Sequence, residues 1–107
     1  MVRKSHAGPP KVPDLLQEIR RLLDRGRYLE TSHAQEMMAE RAITRMEVHH
    51  VLRHGRHEAK KDRRSDDGAA WKYAIRGRTF DADRELRVVA LLNELGVLVI
   101  TAIDLAQ

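Results

Sequence analysis

His33, Arg41 and Arg87, with one cationic run between them, are the side chains whose type and placement suit chemistry. His33 and Arg41 stand eight residues apart in Thr31-Ser32-His33-Ala34-Gln35-Glu36-Met37-Met38-Ala39-Glu40-Arg41. On one continuous helix that is two turns and only about 80° out of line, so an imidazole and a guanidinium can border one pocket. Imidazole is the side chain that exchanges protons near neutral pH. Arg87 interrupts the apolar run Leu86-Arg87-Val88-Val89-Ala90-Leu91-Leu92, where a charge must reach water, a carboxylate or a bound anion. Between them Arg53, Arg56, Lys60, Lys61, Arg63 and Arg64, interleaved with His54 and His57, face only Glu58 and Asp62. That local excess of cations suits a polyanion and equally suits a solvated strand edge. His50 and His54 have the i, i+4 spacing of a helical metal pair, with His57 beyond, but no carboxylate is placed with them, and the helix dipole favours cations at a C-terminus anyway. No metal or other cofactor is expected.

These groups need elements to hold them. Pro13 and Asp14 suit the first turn of a helix whose stripe is Leu15, Leu16, Ile19, Leu22 and Leu23 and which stops at Gly26. Arg27 to Thr31 reads as a short strand or extended connection. Ser32 is expected to cap a helix from His33, with Gln35 completing a capping box. Thr44 and Glu47 repeat the device for a helix ending at Gly55, with a tight corner at Ala42-Ile43 between the two. Residues 56 to 63, nearly free of apolar side chains, read as an edge strand, and Ser65-Asp66-Asp67-Gly68 as a turn. Trp71-Lys72-Tyr73-Ala74-Ile75-Arg76 alternates with period two, giving a half-buried strand. The runs Leu86–Leu92 and Val97–Ile103, joined by Asn93-Glu94-Leu95-Gly96, are apolar on both faces and are expected as neighbouring central strands. If that hairpin closes symmetrically, Arg87 lies opposite Ala102. Against the Trp71 strand two registers are open: one puts Arg87 beside Trp71, Tyr73 and Ile75, the other beside Lys72 and Arg76.

The expected architecture is therefore α+β, with N-terminal helices on one face of a mostly antiparallel sheet of about four strands. Residues 1 to 12, with Pro9 and Pro10, form an expected flexible basic tail, and residues 13 to 107 a single domain. The net charge of +4 comes from 20 basic and 16 acidic residues, a mild bias toward polyanions. The absence of cysteine excludes disulfides, thiolate chemistry and cysteine-ligated zinc. No apolar run approaches the roughly twenty residues of a membrane span, and no apolar stretch follows the N-terminus as in a signal peptide. The expectation is a soluble cytoplasmic protein without a membrane partner.

Thr31-Ser32-His33-Ala34 through Met38, Arg41 and Ile43, then Val48, Val51-Leu52 and Gly55, then Trp71, Tyr73, Gly77, Thr79, Leu86-Arg87-Val88-Val89 and Val99-Ile100-Thr101 resemble the bacterial domain-of-unknown-function family numbered 4258, from about Ile19 to Leu105. That family in turn resembles the small RelE and BrnT toxins of toxin–antitoxin pairs, whose helices pack on an antiparallel sheet and whose members typically cut RNA. The chain departs from the family pattern at Met37, where a basic residue is frequent, at Ala42, where the corner usually has glycine, and at Arg87, where histidine is common. The resemblance implies a RelE-like fold and an RNA-directed ribonuclease with an antitoxin protein as partner. His33 would then transfer the proton, Arg41 and Arg87 hold phosphate, and Tyr73 stack on a base or donate a proton. Lys60, Lys61, Arg63, Arg64, Lys72 and Arg76 would contact the nucleic acid. The alternative is a non-catalytic RNA- or protein-binding module in which His33 and Arg41 are structural and Trp71 and Tyr73 fill the core.

Overall fold

The computed structural model describes residues 9–81 and 83–106. Most of the expected tail, residues 1 to 8, lies outside the described residues; residues 9 to 12 are fastened to the domain. Trp71 Nε1 donates to the Pro9 carbonyl at 2.9 Å, and the Val12 N–H donates to the Tyr73 hydroxyl oxygen at 2.9 Å.

Helix α1 (Leu15–Asp24) buries Leu15, Ile19, Leu22 and Leu23 of the expected stripe and leaves Leu16 half-buried against the core. It closes in a Schellman motif. Gly26, at φ 71°, donates to the Leu23 carbonyl at 3.0 Å, and Arg27 donates to that of Leu22 at 2.9 Å. Strand β1 (Tyr28–Glu30) follows and runs directly into α2 (Ser32–Glu40). The cap of α2 is Thr31, whose Oγ1 accepts from the Ala34 N–H at 3.0 Å, so the helix begins one residue earlier than Ser32 as cap would require. The reason is tertiary: the Thr31 N–H donates to the Val99 carbonyl at 3.0 Å, which holds the backbone extended there as a cap needs. Helix α3 (Arg45–His54) opens with the expected Thr44–Glu47 capping box.

Strands β2 (Arg56–His57) and β3 (Arg63–Arg64) flank a 3₁₀ turn (Ala59–Lys61) and precede β4 (Trp71–Arg78), β5 (Glu85–Asn93) and β6 (Gly96–Asp104). The sheet has six strands rather than about four, in the order β1-β6-β5-β4-β2, with β3 also pairing β4. It is mixed, because β1 lies parallel to β6 with Tyr28 opposite Val97. Two short pieces cut from one expected edge strand and one three-residue strand account for the added members. The close pairing at β1 is possible because Gly96 has no side chain; a Cβ there would stand 2.3 Å from the Arg27 carbonyl oxygen.

The core unites Ile19, Val48, Val51 and Leu52 of the helices with Ile75, Leu86, Val88, Val97 and Val99 of the sheet, all fully buried. These sheet residues share one face, onto which α1 and α3 pack, while α2 packs along β6 and β1. Ala34 and Met38 carry α2 into the same core. The β5–β6 register is symmetric as far as Ala90 opposite Val99, then a bulge at Ile100 shifts it by one, so Arg87 faces Ile103 and not Ala102.

Candidate nucleic-acid interface

The basic run forms one outer edge of the sheet. Arg56 and His57 pair with Arg76 and Ile75, and Arg63 and Arg64 pair with Lys72 and Trp71, all on β4. Between the two pairings the chain leaves the ladder and would strand the backbone of Ala74. It does not: the Glu58 N–H donates to the Ala74 carbonyl at 2.8 Å, and the Ala74 N–H donates to Asp62 Oδ1 at 3.0 Å. A carboxylate thus takes the place of a strand neighbour. The Asp62 side chain is 0% exposed, and its second oxygen meets His57 Nε2 at 2.7 Å and Lys11 Nζ at 2.9 Å, as a buried carboxylate requires.

The excursion lifts the 3₁₀ turn off the sheet and leaves Lys60 and Lys61 exposed. Arg63, also exposed, donates to the carbonyls of Asp62 at 2.9 Å and Lys60 at 3.4 Å. Trp71 is half-buried, with the Lys11 ammonium 4.6 Å and the Arg64 guanidinium 5.5 Å from its ring centre. A cleft of about 450 Å³ opens beside this edge, lined by Arg56, His57, Glu58, Ala59, Lys60 and Lys61.

Of the two registers open for β4 against β5, the structure has the second. Arg76 lies opposite Arg87, with Lys72 on the same face. The two guanidiniums are held apart by carboxylates: Arg87 Nε meets Glu58 Oε1 at 2.6 Å, Arg76 Nε meets Glu85 Oε2 at 2.6 Å, and Arg76 Nη1 reaches Glu58 Oε2 at 3.5 Å. The hydrogen bond from Arg87 holds the Glu58 carboxyl below its ordinary range. The bond from Arg76 does the same to Glu85.

The other residues singled out from sequence are distributed differently. Tyr73 is buried on the core face, three register positions from Arg76, so it and Arg87 project to opposite faces of the sheet. Its ring sits edge-on to His57 at 5.7 Å. His33 is exposed on α2, which packs at the β1–β6 side, the opposite end of the strand order from β2 and β3. Arg41 is the C-cap residue of α2, half-buried, with Nη1 buried and without a hydrogen-bond partner among the described residues. The residue that braces the corner is Arg84, whose guanidinium donates to the carbonyls of Arg41 at 2.9 Å and Ala42 at 2.7 Å and meets Glu47 at 2.8 Å. The structure brings Lys60, Lys61, Arg63, Arg64 and Lys72 onto one edge with Lys11, and Arg76 with Arg87 behind it; it does not gather His33, Arg41, Tyr73 and Arg87.

Two further groups bear on the choice of site. Glu30, 3% exposed at its side chain, accepts from the Tyr28 hydroxyl at 2.5 Å and from Arg45 in bidentate fashion at 2.9 Å twice. Burial drives the Tyr28 hydroxyl pKa up, and the Arg45 bond drives that of Glu30 down. These partners face one another, so the cluster fastens β1 to α3. His50 and His54 stack with ring centres 4.5 Å apart, and among the described residues no group of three or more His, Cys, Asp or Glu side chains is arranged to hold a metal.

Sequence reasoning used Asp62 only as a counter-charge and His57 only as the third histidine of a metal set. Their spacing of five residues across a turn was the signal available, but a buried carboxylate serving a strand's N–H is visible only once β4 is paired. No curated protein and no solved structure matches the chain. The family model of a domain of unknown function, DUF4258, matches residues 30–104, from the end of β1 to the end of β6. The chain belongs to the DUF4258 family.

Proposed function

We propose that this chain is an RNA-binding domain that contacts the phosphate backbone through the β2–β3 edge. The observation that carries this is the fate of the run's two acids. Glu58 turns behind the sheet onto Arg76 and Arg87, and Asp62 turns inward onto Ala74, His57 and Lys11. Lys60, Lys61 and Arg63 are left on an exposed edge with no ion pair among the described residues. A fixed row of uncompensated cations beside an open cleft is an electrostatic footprint for a polyanion, and Trp71 adds an aromatic surface of the kind that stacks on unpaired bases. The resemblance to RelE and BrnT toxins expected from the sequence would point the same way, to RNA in the cytoplasm and to an antitoxin-type protein covering the edge.

Fluorescence anisotropy with labelled single-stranded RNA at increasing salt tests the proposal. Each backbone phosphate neutralised should contribute about −0.7 to the slope of log K against log salt. The paired substitution Lys60→Ala/Lys61→Ala should make that slope shallower by about 1.4. RNA that fails to bind, or a slope unchanged in the double variant, removes the edge as the interface.

A further inference from the structure

We infer that the cleft between the end of α3 and the last residues of β4 binds a nucleotide carrying a phosphate monoester, with arginines on the phosphate and rings on the base. The inference stands apart from the RNA-binding reading and uses neither Lys60 nor Lys61.

Strand β2 begins at Arg56, opposite Arg76, whereas β4 runs on to Arg78. Beside those last residues lies a cleft of about 420 Å³. Its charged lining is three guanidiniums, Arg56, Arg76 and Arg78, and one carboxylate, Glu85. Glu85 meets Arg76 at 2.6 Å and Arg78 at 3.8 Å, and the other acid nearby, Glu58, meets Arg87 at 2.6 Å. Arg56 is exposed and forms no ion pair among the described residues. The lining thus carries two positive charges in excess, which one phosphate monoester, of charge about −2 at neutral pH, would offset. A phosphodiester would offset half of that. Arg56 and Arg76 are also like charges directly opposite on paired strands, a repulsion that an anion between them relieves. The carbonyl end of α3, which would repel an anion, is covered. The Gly55 N–H donates to the Val51 carbonyl at 2.8 Å, and Arg20 Nε donates to that of Arg53 at 2.7 Å.

Rings supply the rest of the recognition. His50 and His54 both line the cleft, tilted together with centres 4.5 Å apart. Phe80 meets the His50 ring edge-on at 6.0 Å and is 56% exposed, the one exposed aromatic side chain among the described residues. An apolar ring left in water beside two imidazoles gains from a flat partner that covers it. An aromatic group joined to a dianion is a nucleotide with a terminal phosphate, and a cleft of this volume suits a single small ligand. The nucleotide arrives free or as the phosphorylated end of an RNA; the groups that recognise it are the same.

Calorimetric titration of the full chain with AMP, adenosine and inorganic phosphate tests this, together with amide spectra of the ¹⁵N-labelled wild type. AMP should bind about tenfold or more tighter than either fragment, shifting the amides of His50, Gly55 and Gly77 and not those of Lys60 and Lys61. Arg56→Ala and Phe80→Ala, both at exposed positions, should each weaken AMP by about tenfold, while Lys60→Ala/Lys61→Ala leaves it unchanged. Anisotropy with one RNA bearing either a 5′-phosphate or a 5′-hydroxyl separates the two sources. A gain from the phosphate that Arg56→Ala abolishes assigns the cleft to an RNA end; equal affinity assigns it to the free nucleotide. AMP that fails to bind, that binds no tighter than phosphate alone, or that shifts only amides of the 3₁₀ turn overturns the inference. The RNA-binding proposal then stands or falls by its own salt titration.

Discussion

Ala42 holds φ at 54° in the left-handed region, at the position after the cap of α2 that glycine usually takes. The Ile43 N–H still reaches the Met38 carbonyl at 2.9 Å, so the motif forms despite the Cβ. Arg84, bonded to both carbonyls of the corner, holds it in place. Ala42→Gly should therefore stabilise the fold by about 1 kcal/mol and raise Tm by several degrees in a thermal melt. Glu58 offers a second test at this scale. Its carboxyl titrates below the ordinary value of 4.5 when folded, because Arg87 favours the ionised form. The folded chain then binds fewer protons than the unfolded one just below that pH, so the stabilisation is fully present above 4.5 and is lost as pH falls through the lower folded value. Urea titrations should show Glu58→Gln less stable than wild type at pH 7, with the gap closing as pH falls below 4.5.

Among the elements, the start of α2 shows how a neighbour selects between adjacent candidates. Thr31 and Ser32 are both good caps by residue type, and only Thr31 is both extended and bonded to the Ala34 N–H. Thr31→Ala should cost about 1 kcal/mol in chemical denaturation and Ser32→Ala close to nothing. If Ser32→Ala proves the costlier, the assignment of the cap is wrong. The end of α3 is governed by approach more than by turn geometry. Gly55 is the expected cap residue, but at φ −80° it is not left-handed; a Cβ would stand 2.6 Å from the Arg76 and Val51 carbonyl oxygens. Helix α3 meets β4 at that point, and the contact sets where β2 can begin. The edge strand and its cations depend on it.

For the whole molecule, the sheet works as a divider. One face carries the core and Tyr73, the other carries Arg76 and Arg87, and the β2–β3 edge lies between them with the cleft of His57. Function at that edge should follow salt and the lysines of the 3₁₀ turn, whereas substitutions at His33, on the far side of the strand order, should leave RNA affinity unchanged in the same anisotropy assay. The amphipathic stripe of α1, the Thr44 capping box, the central hairpin and the basic run were all legible in the residues, because each depends on spacing within a short segment. The sixfold strand count, the parallel β1, the bulge at Ile100 and the face on which Arg87 lies depend on which segments meet, and a period-two pattern is equally satisfied by a register one residue away. For the same reason the sequence by itself determined that a cationic segment exists, while only the tertiary structure decided that its two carboxylates turn inward. A carboxylate goes where a backbone N–H or a guanidinium needs it, and that need is set by strand pairing and not by the order of residues.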